Sequence, residues 1–240
     1  MKNVFTLLIT SYECKGMGKT FLEENINAIL EQTYRPIQVI ISDHSKDDII
    51  EDYIKSVKQT KNINDIEIIY TKYTEHYGSP CHNWNNALKF ATGEYIQYLA
   101  LDDKLAHTRA VEYAVEEMNS EPESKWFITA HRVNPSGEIF IPKWNSMILQ
   151  HNTVSGPSAI IIRPALKHIK LDPEFIWYLD LDWYYRLYKE GGKPSVISSV
   201  HWINRKHPLQ LTHTVCSQAR KDAEKALLFK KYGNPLPLST

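Results

Sequence analysis

Apolar positions recur along the chain in two spacings, a short continuous run and a three-to-four-residue period, and the two alternate through its first part. Residues 4–9 form a short apolar run of the kind expected of a parallel strand buried on both faces. Phe21, Leu22, Ile26, Ile29 and Leu30 then repeat at helical spacing, predicting a helix over 20–32 that Arg35-Pro36 terminates, because the residue before a proline avoids helical geometry. The same alternation predicts strands over 38–42, 67–71 and 95–101, and helices over 47–60 and 82–91, the last closed near Gly93. Strand and helix in strict turn imply right-handed crossovers and an open, mostly parallel sheet, in which ligands bind at the carboxyl ends of the strands. Chemically active residues are therefore expected just after Ile9, Ile41, Tyr70 and Leu101.

The second part reads differently. A helix over 108–119, a strand over 126–132, a turn at Asn134-Pro135-Ser136-Gly137 leading into 139–141, and a short strand over 159–162 suggest mixed pairing. A helix over 182–189 ending at Gly191-Gly192, a strand over 195–200 and a terminal helix over 218–232 complete the pattern. The tail from Asn234 to Thr240 carries two prolines and is expected to fray. No repeat, low-complexity tract or dividing linker interrupts the 240 residues, so one domain is expected.

Composition narrows the partners. Hydrophobic residues make up 42% and charged residues 23%, as in folded globular proteins. Lys plus Arg and Asp plus Glu are both 28, so no basic field exists to hold nucleic-acid phosphates. Aromatic residues reach 11% and cluster beside polar ones, which suits a sugar cleft, although core packing accounts for Trp and Tyr equally well. The three cysteines, Cys14, Cys81 and Cys216, form no Cys-x-x-Cys pair, which points to a reducing cytoplasm rather than zinc or redox work. The start, Met1-Lys2-Asn3-Val4, lacks a signal peptide's longer apolar region, and no stretch is apolar enough to span a bilayer. Arg220, Lys221, Lys225, Lys230 and Lys231 give the last helix a basic face, either solvated or in peripheral membrane contact.

The strongest chemical signal is Gly93-Glu94-Tyr95-Ile96-Gln97-Tyr98-Leu99-Ala100-Leu101-Asp102-Asp103, a buried strand that ends in two adjacent carboxylates. Like charges there are costly unless a cation joins them. Mg²⁺ or Mn²⁺ held by one or two carboxylates keeps positions open for phosphate oxygens. A solvated Asp-Asp turn is the alternative. Thr10-Ser11-Tyr12 after the first strand and Ser42-Asp43-His44-Ser45 after the second bring hydroxyls, a ring and a carboxylate to the same sheet edge.

Together these segments resemble the family 2 glycosyltransferases, inverting enzymes of the GT-A Rossmann-like α/β fold, whose pattern runs T-x-Y, then D-D-x-S, then G-E-Y-I into D-D. The resemblance implies a nucleotide-sugar donor, a saccharide acceptor and a Mn²⁺ or Mg²⁺ cofactor. It divides the domain into a donor half (1–103), an acceptor half (104–213) and a C-terminal helix and tail (214–240). It assigns Thr10 and Tyr12 to the base, Asp43 to base or ribose, Asp102 to ribose or a metal-bound water, and Asp103 to the metal. Glu13 stands where Asn is common and Ser42 where a first Asp is common, so UDP is the expected nucleotide with dTDP and GDP open.

In His82-Asn83-Trp84-Asn85-Asn86-Ala87, Asn85 matches the Asn of the family's R-N pair and is assigned to the nucleotide, with Trp84 in place of Arg. The alternative makes Asn83 a helix cap and Trp84 core. Tyr178-Leu179-Asp180-Leu181-Asp182-Trp183-Tyr184-Tyr185-Arg186 resembles the segment carrying the catalytic base, and alignment on Trp-Tyr-Tyr-Arg gives that role to Asp180, with Asp182 as its rival and a natural helix cap. Trp202-Ile203-Asn204-Arg205-Lys206-His207 resembles a late R-x-H stretch, assigning Arg205 to the diphosphate and His207 to the metal; a surface loop with incidental basic residues is the alternative. A nucleotidyltransferase, suggested by Cys14-Lys15-Gly16-Met17-Gly18-Lys19, and a non-catalytic carbohydrate-binding domain are the competing readings. The first lacks a leading L-A-G-G, and the second would be expected to have lost its acidic residues.

Overall fold

The computed structural model describes residues 3–145, 147–210, 213 and 216–233. The expected alternation is present at the start: β1 (Phe5–Ser11), α1 (Gly18–Leu30), β2 (Ile37–Asp43), α2 (Ile49–Thr60), β3 (Ile66–Lys72), α3 (Pro80–Leu88) and β4 (Tyr95–Ala100). β1 pairs in parallel with β2 and with β4, and β2 with β3. The register sets Thr10 between Ser42 and Ala100, and Ser11 beside Asp43, so the carboxyl ends of three strands form one ledge.

The remaining elements are β5 (Lys104–Leu105), α4 (Ala110–Ser120), β6 (Trp126–Asn134), β7 (Ile139–Phe140), β8 (Ile160–Ile162), α5 (Leu179–Gly191), β9 (Ser195–Arg205) and α6 (Gln218–Tyr232). β8 joins β4 antiparallel and β6 follows it, while β6 and β9 run parallel, so this half of the sheet is mixed, as expected. Among the described residues the sheet has nine strands in the order β3-β2-β1-β4-β8-β6-β9-β5, with β7 on β6.

Alternate strand residues feed two cores. Phe5, Leu7 and Ile9 of β1, with Tyr95 and Leu99 of β4, pack on the face covered by α1, α2 and α4. Leu8, Ile96 and Tyr98 point the other way, toward Trp84, Trp183, Tyr184 and Leu228 of α3, α5 and α6. This two-residue period inside a fully apolar strand is what burial on both faces demands.

Boundaries shift by a few residues from expectation, and three of the shifts bear on the site. α3 begins at Pro80 rather than at 82, with Pro at the first helical position and the Ser79 hydroxyl as cap, so Asn83 is not the cap. β9 runs on to Arg205 because Ser198 and Ser199 bulge out of its register with β6, their N–H groups satisfied by Glu117 of α4. α5 begins at Leu179 rather than at 182, which puts both Asp180 and Asp182 in its first turn.

Candidate functional site

Asp102 and Asp103 form a tight turn between β4 and β5, closed by the Asp103 N–H on the Ala100 carbonyl at 3.0 Å. β5 pairs with the end of β9, Lys104 opposite Ile203, which brings Arg205 and His207 back over the turn. Asp103 is buried; it accepts from the Ser158 hydroxyl at 2.6 Å and from the Arg205 main-chain N–H at 3.4 Å. Burial first, and the neighbouring Asp102 charge second, push its carboxyl well above the ordinary range. The Asp102 carboxylate lies 2.9 Å from His207 Nε2. The Arg205 guanidinium grips Glu24 of α1 at 2.7 and 3.2 Å, and Lys104 meets the same carboxylate at 3.3 Å. Phe21 fixes both late residues to α1, with Arg205 over its ring at 4.7 Å and the His207 ring 5.1 Å away.

The ledge beside this turn is built from β1, β2 and β3. Asp43 has no exposed surface. Its Oδ1 accepts from the Ser11 hydroxyl (3.0 Å) and from the Ser45 N–H and hydroxyl (2.9 and 2.7 Å), and its Oδ2 from the Tyr70 hydroxyl at 2.9 Å with Lys72 at 3.7 Å. It thus organises the ledge from behind in this arrangement. Tyr12 is exposed, and burial of its hydroxyl end, with Cys14 and Asp102 adding, raises its phenol. The chain after Tyr12 turns through Cys14 and Lys15 at φ of 43° and 51°, a left-handed geometry that costs about 1–2 kcal/mol per residue. Gly18 closes this turn: a Cβ there would stand 2.0 Å from the Tyr12 carbonyl oxygen. His44 stacks on Tyr73 with centroids 5.0 Å apart.

α3 presents Asn83 and Asn86 to this ledge. The Asn83 amide reaches the Ser11 carbonyl at 3.3 Å and the Asn86 amide the Ser42 hydroxyl at 3.0 Å. Asn85 lies on another face of the helix, where its side chain donates to the Leu171 carbonyl (2.7 Å) and accepts from the Leu171 N–H (2.9 Å). Both ends of Asn85 tie α3 to the segment before α5. Trp84 is core, as the alternative reading had it.

The two acidic residues of α5 occupy contrasting surroundings. Asp182 is fully buried, clamped by Arg186 at 2.9 and 2.5 Å and by the Tyr232 hydroxyl at 2.5 Å. Asp180 is half-buried and meets the Asn152 amide at 2.7 Å and the Leu181 N–H at 2.8 Å. Burial lifts its carboxyl to about 7, the Glu224 charge adding to that and the Leu181 N–H opposing it.

The structure therefore brings Asp102, Asp103, Arg205 and His207 together at one turn, sets Thr10, Tyr12 and Asp43 along the adjoining ledge, turns Asn85 aside, and holds Asp180 on α5. Ser158 and Asn152, which hold Asp103 and Asp180, carry no local signal: each meets its partner only through the chain's return, 55 and 28 residues away. No group of three His, Cys, Asp or Glu side chains among the described residues forms a cation cage. Two adjoining carboxylates with a nearby imidazole, one carboxyl forced toward protonation by burial and then by the other's charge, are a donor set that a hard divalent cation relieves, with open positions left for a ligand's own oxygens.

Comparison with known proteins decides the family, since residues 6–170 match the model described as glycosyl transferase family 2. The chain belongs to that family. Among curated family relatives, a 34% identical stretch covers 36% of this chain and 27% of the GalNAc(5)-diNAcBac-PP-undecaprenol beta-1,3-glucosyltransferase of Campylobacter jejuni subsp. jejuni. A 33% identical stretch covers 43% of this chain and 37% of the UDP-Glc:alpha-D-GlcNAc-diphosphoundecaprenol beta-1,3-glucosyltransferase WfaP of Escherichia coli. The match thus spans well under half of either relative's length. Of solved structures, TarS 1-349 of S. aureus in complex with UDP-GlcNAc superposes with a TM-score of 0.75 at 18% identity, over 98% of this chain and 67% of that one. The mannosyltransferase PcManGT of Pyrobaculum calidifontis, in complex with GDP-Man and Mn²⁺, gives 0.66 at 16% identity, over 99% and 67%. The family 2 chain has the GT-A fold of these enzymes.

Proposed function

We propose that this family 2 chain is an inverting glycosyltransferase that moves a sugar from a UDP-sugar to a saccharide acceptor, with Mn²⁺ or Mg²⁺ as cofactor. The observation that carries the reading is the Asp102-Asp103 turn. A carboxyl there is raised first by burial and then by its neighbour's charge, at the edge where the donor ledge and the late Arg205-His207 segment meet. Complexes of fold neighbours with UDP-GlcNAc, and with GDP-Man and Mn²⁺, support a nucleotide-sugar donor and a divalent ion. The relatives' names, both of lipid-diphosphate-linked glucosyltransferases, support a glycan acceptor.

In this reading Thr10, Tyr12 and the Asp43-ordered ledge receive the nucleoside, and Asp102, Asp103 and His207 hold the cation. When bound, the cation neutralises charge on the departing diphosphate. Arg205 adds positive charge beside it. Asp180 takes the proton of the acceptor hydroxyl as that oxygen attacks the anomeric carbon on the face opposite the diphosphate, which inverts the centre. A carboxyl near 7 suits a base that must be ionised yet basic enough to accept that proton. Asn85, whose amide is occupied by Leu171, supports the ledge through α3 rather than by touching the nucleotide. Residues 1–103 carry the donor ledge, 104–213 the acceptor side together with the Arg205-His207 segment that returns to the donor, and 218–232 the helix packed against the start of α5.

No helix among the described residues is long and apolar enough to cross a membrane. Unpaired Cys14, Cys81 and Cys216 favour a cytoplasmic site of action, with exposed Lys225 and Lys230 of α6 available to a membrane surface. Nucleic acid is not a partner in this reading, since charge is balanced. The test is nucleotide release from UDP-sugars in the presence of a glycan acceptor and Mn²⁺, which EDTA should abolish. Turnover that persists at full rate in EDTA would remove the metal from the account, and a product with retained anomeric configuration would remove the single-displacement mechanism.

A further inference from the structure

Glu224 is a charged side chain in a place where charge is rarely left, 5% exposed on α6 against the start of α5. Its carboxylate accepts the main-chain N–H groups of Ile176 (3.1 Å to each oxygen), Trp177 (2.8 Å) and Tyr178 (3.0 Å). Those residues lead straight into α5, whose own cap position, Tyr178, offers no side-chain hydrogen bond. A helix start normally finds its capping oxygen within its own first turn. Here Asp180 takes the Leu181 N–H inside that turn, and the three N–H groups that lead into the helix are held from another helix, 46 to 48 residues further along the chain. The rest of α6 is fastened to the same place: Leu228 is buried in the second core, Tyr232 reaches Asp182, Lys231 pairs with Asp172 and Glu174, and Lys221 sits 3.8 Å over the Trp177 ring. Asp180 is the second residue of the helix whose lead-in is so held.

We propose that Glu224 is a positioning residue for glycosyl transfer: by fixing the main chain of residues 176–178 it sets where the Asp180 carboxylate stands. This rests on the reading of Asp180 as the base. The titratable and charged groups around the pair are Tyr178 and Tyr184 of the α5 region, Cys81 of α3, Cys216 ahead of α6, and Arg220, Lys221 and Asp222 of α6 beside Glu224 itself; Arg220 partly offsets Glu224 at 3.6 Å, and the loop side contributes the neutral Asn152. Burial dominates the lift of Asp180, and Glu224 adds to it with the same sign.

Glu224→Gln keeps the shape and an accepting oxygen but removes the charge. It should lower kcat on the order of tenfold to a hundredfold, the usual cost of a misplaced catalytic group, while donor KM holds. It should also move the acidic limb of the kcat profile to lower pH from its wild-type midpoint near 7. A variant with wild-type kcat and an unmoved midpoint overturns the proposal. Amide exchange in the unaltered protein gives a second reading without mutation: the N–H groups of Ile176, Trp177 and Tyr178 should be strongly protected, and exchange at the rate of an open loop overturns the proposal as well. Asp180→Asn is run beside it. If that variant keeps wild-type activity, the base itself is misassigned, whereas loss of activity in Asp180→Asn with none in Glu224→Gln removes only the role of Glu224.

Discussion

Asp180 and Asp182 stand two residues apart on one helix, yet their surroundings divide the work between them. Asp182 lies in a buried cage of Arg186 and Tyr232, where removing one partner of an ion pair costs about 3–5 kcal/mol. Asp182→Asn is therefore expected to lower the melting temperature and leave the chemical step of the folded fraction largely intact. Asp180→Asn should do the reverse: kcat falls by roughly the 10²–10⁴ that a lost general base costs, donor affinity holds, and the melting temperature does not fall. Steady-state kinetics and thermal melting of the two variants separate the roles. If Asp182→Asn shows the kinetic loss and Asp180→Asn stays active, the base is reassigned. The pH dependence has a definite sign. Because the folded carboxyl of Asp180 sits near 7, above its unfolded value, the native state holds the extra proton between those values. Asp180 accordingly favours the fold below its unfolded value, and that contribution is lost as pH rises toward 7. Denaturation midpoints of Asp180→Asn, compared with wild type across this window, should show a flatter pH dependence. A slope identical to wild type would mean that burial does not lift this carboxyl.

Which elements were legible in the sequence follows from how local their causes are. The β1-to-β4 alternation was readable because each strand's apolar run and each helix's period lie within a dozen residues. The Thr10-Ser11-Tyr12, Ser42-Asp43 and Asp102-Asp103 segments were readable because topology alone puts them at carboxyl ends. The start of α5 was not, since the carboxylate that holds the chain leading into it is Glu224 of a distant helix, and neither was the reach of β9 to Arg205, since the Ser198-Ser199 bulge is stabilised by Glu117 of another. Asn85 matched a motif by position, but the face of α3 that meets the ledge carries Asn83 and Asn86, and Asn85 faces Leu171. The joint between β1 and α1 gives a prediction at this scale. Any Cβ at Gly18 would meet the Tyr12 carbonyl, so Gly18→Ala must displace that main chain. Destabilisation of about 1–3 kcal/mol, the usual cost of overpacking, is expected together with weakened nucleoside binding. Wild-type melting and wild-type UDP affinity in this variant would show that the loop has room the close approach denies.

At the scale of the whole molecule, one sheet carries two kinds of pairing, and the candidate site lies where they meet. The parallel half supplies rigid strand ends for a nucleoside, and the mixed half returns β8, β5 and β9 so that Ser158, Arg205 and His207 close around the acidic turn. The central claim is that this turn, through Asp102 and Asp103, makes nucleotide binding metal-dependent. The measurement that tests it most directly is the melting temperature of the wild type and of Asp103→Ala with UDP, each with Mn²⁺ and with EDTA. Ligand at about a hundred times its dissociation constant should stabilise the wild type by ~2.7 kcal/mol when Mn²⁺ is present. That gain should vanish in EDTA and be absent from Asp103→Ala under either condition. Equal stabilisation of wild type and Asp103→Ala by UDP with Mn²⁺, or a wild-type gain that survives EDTA undiminished, would contradict the account.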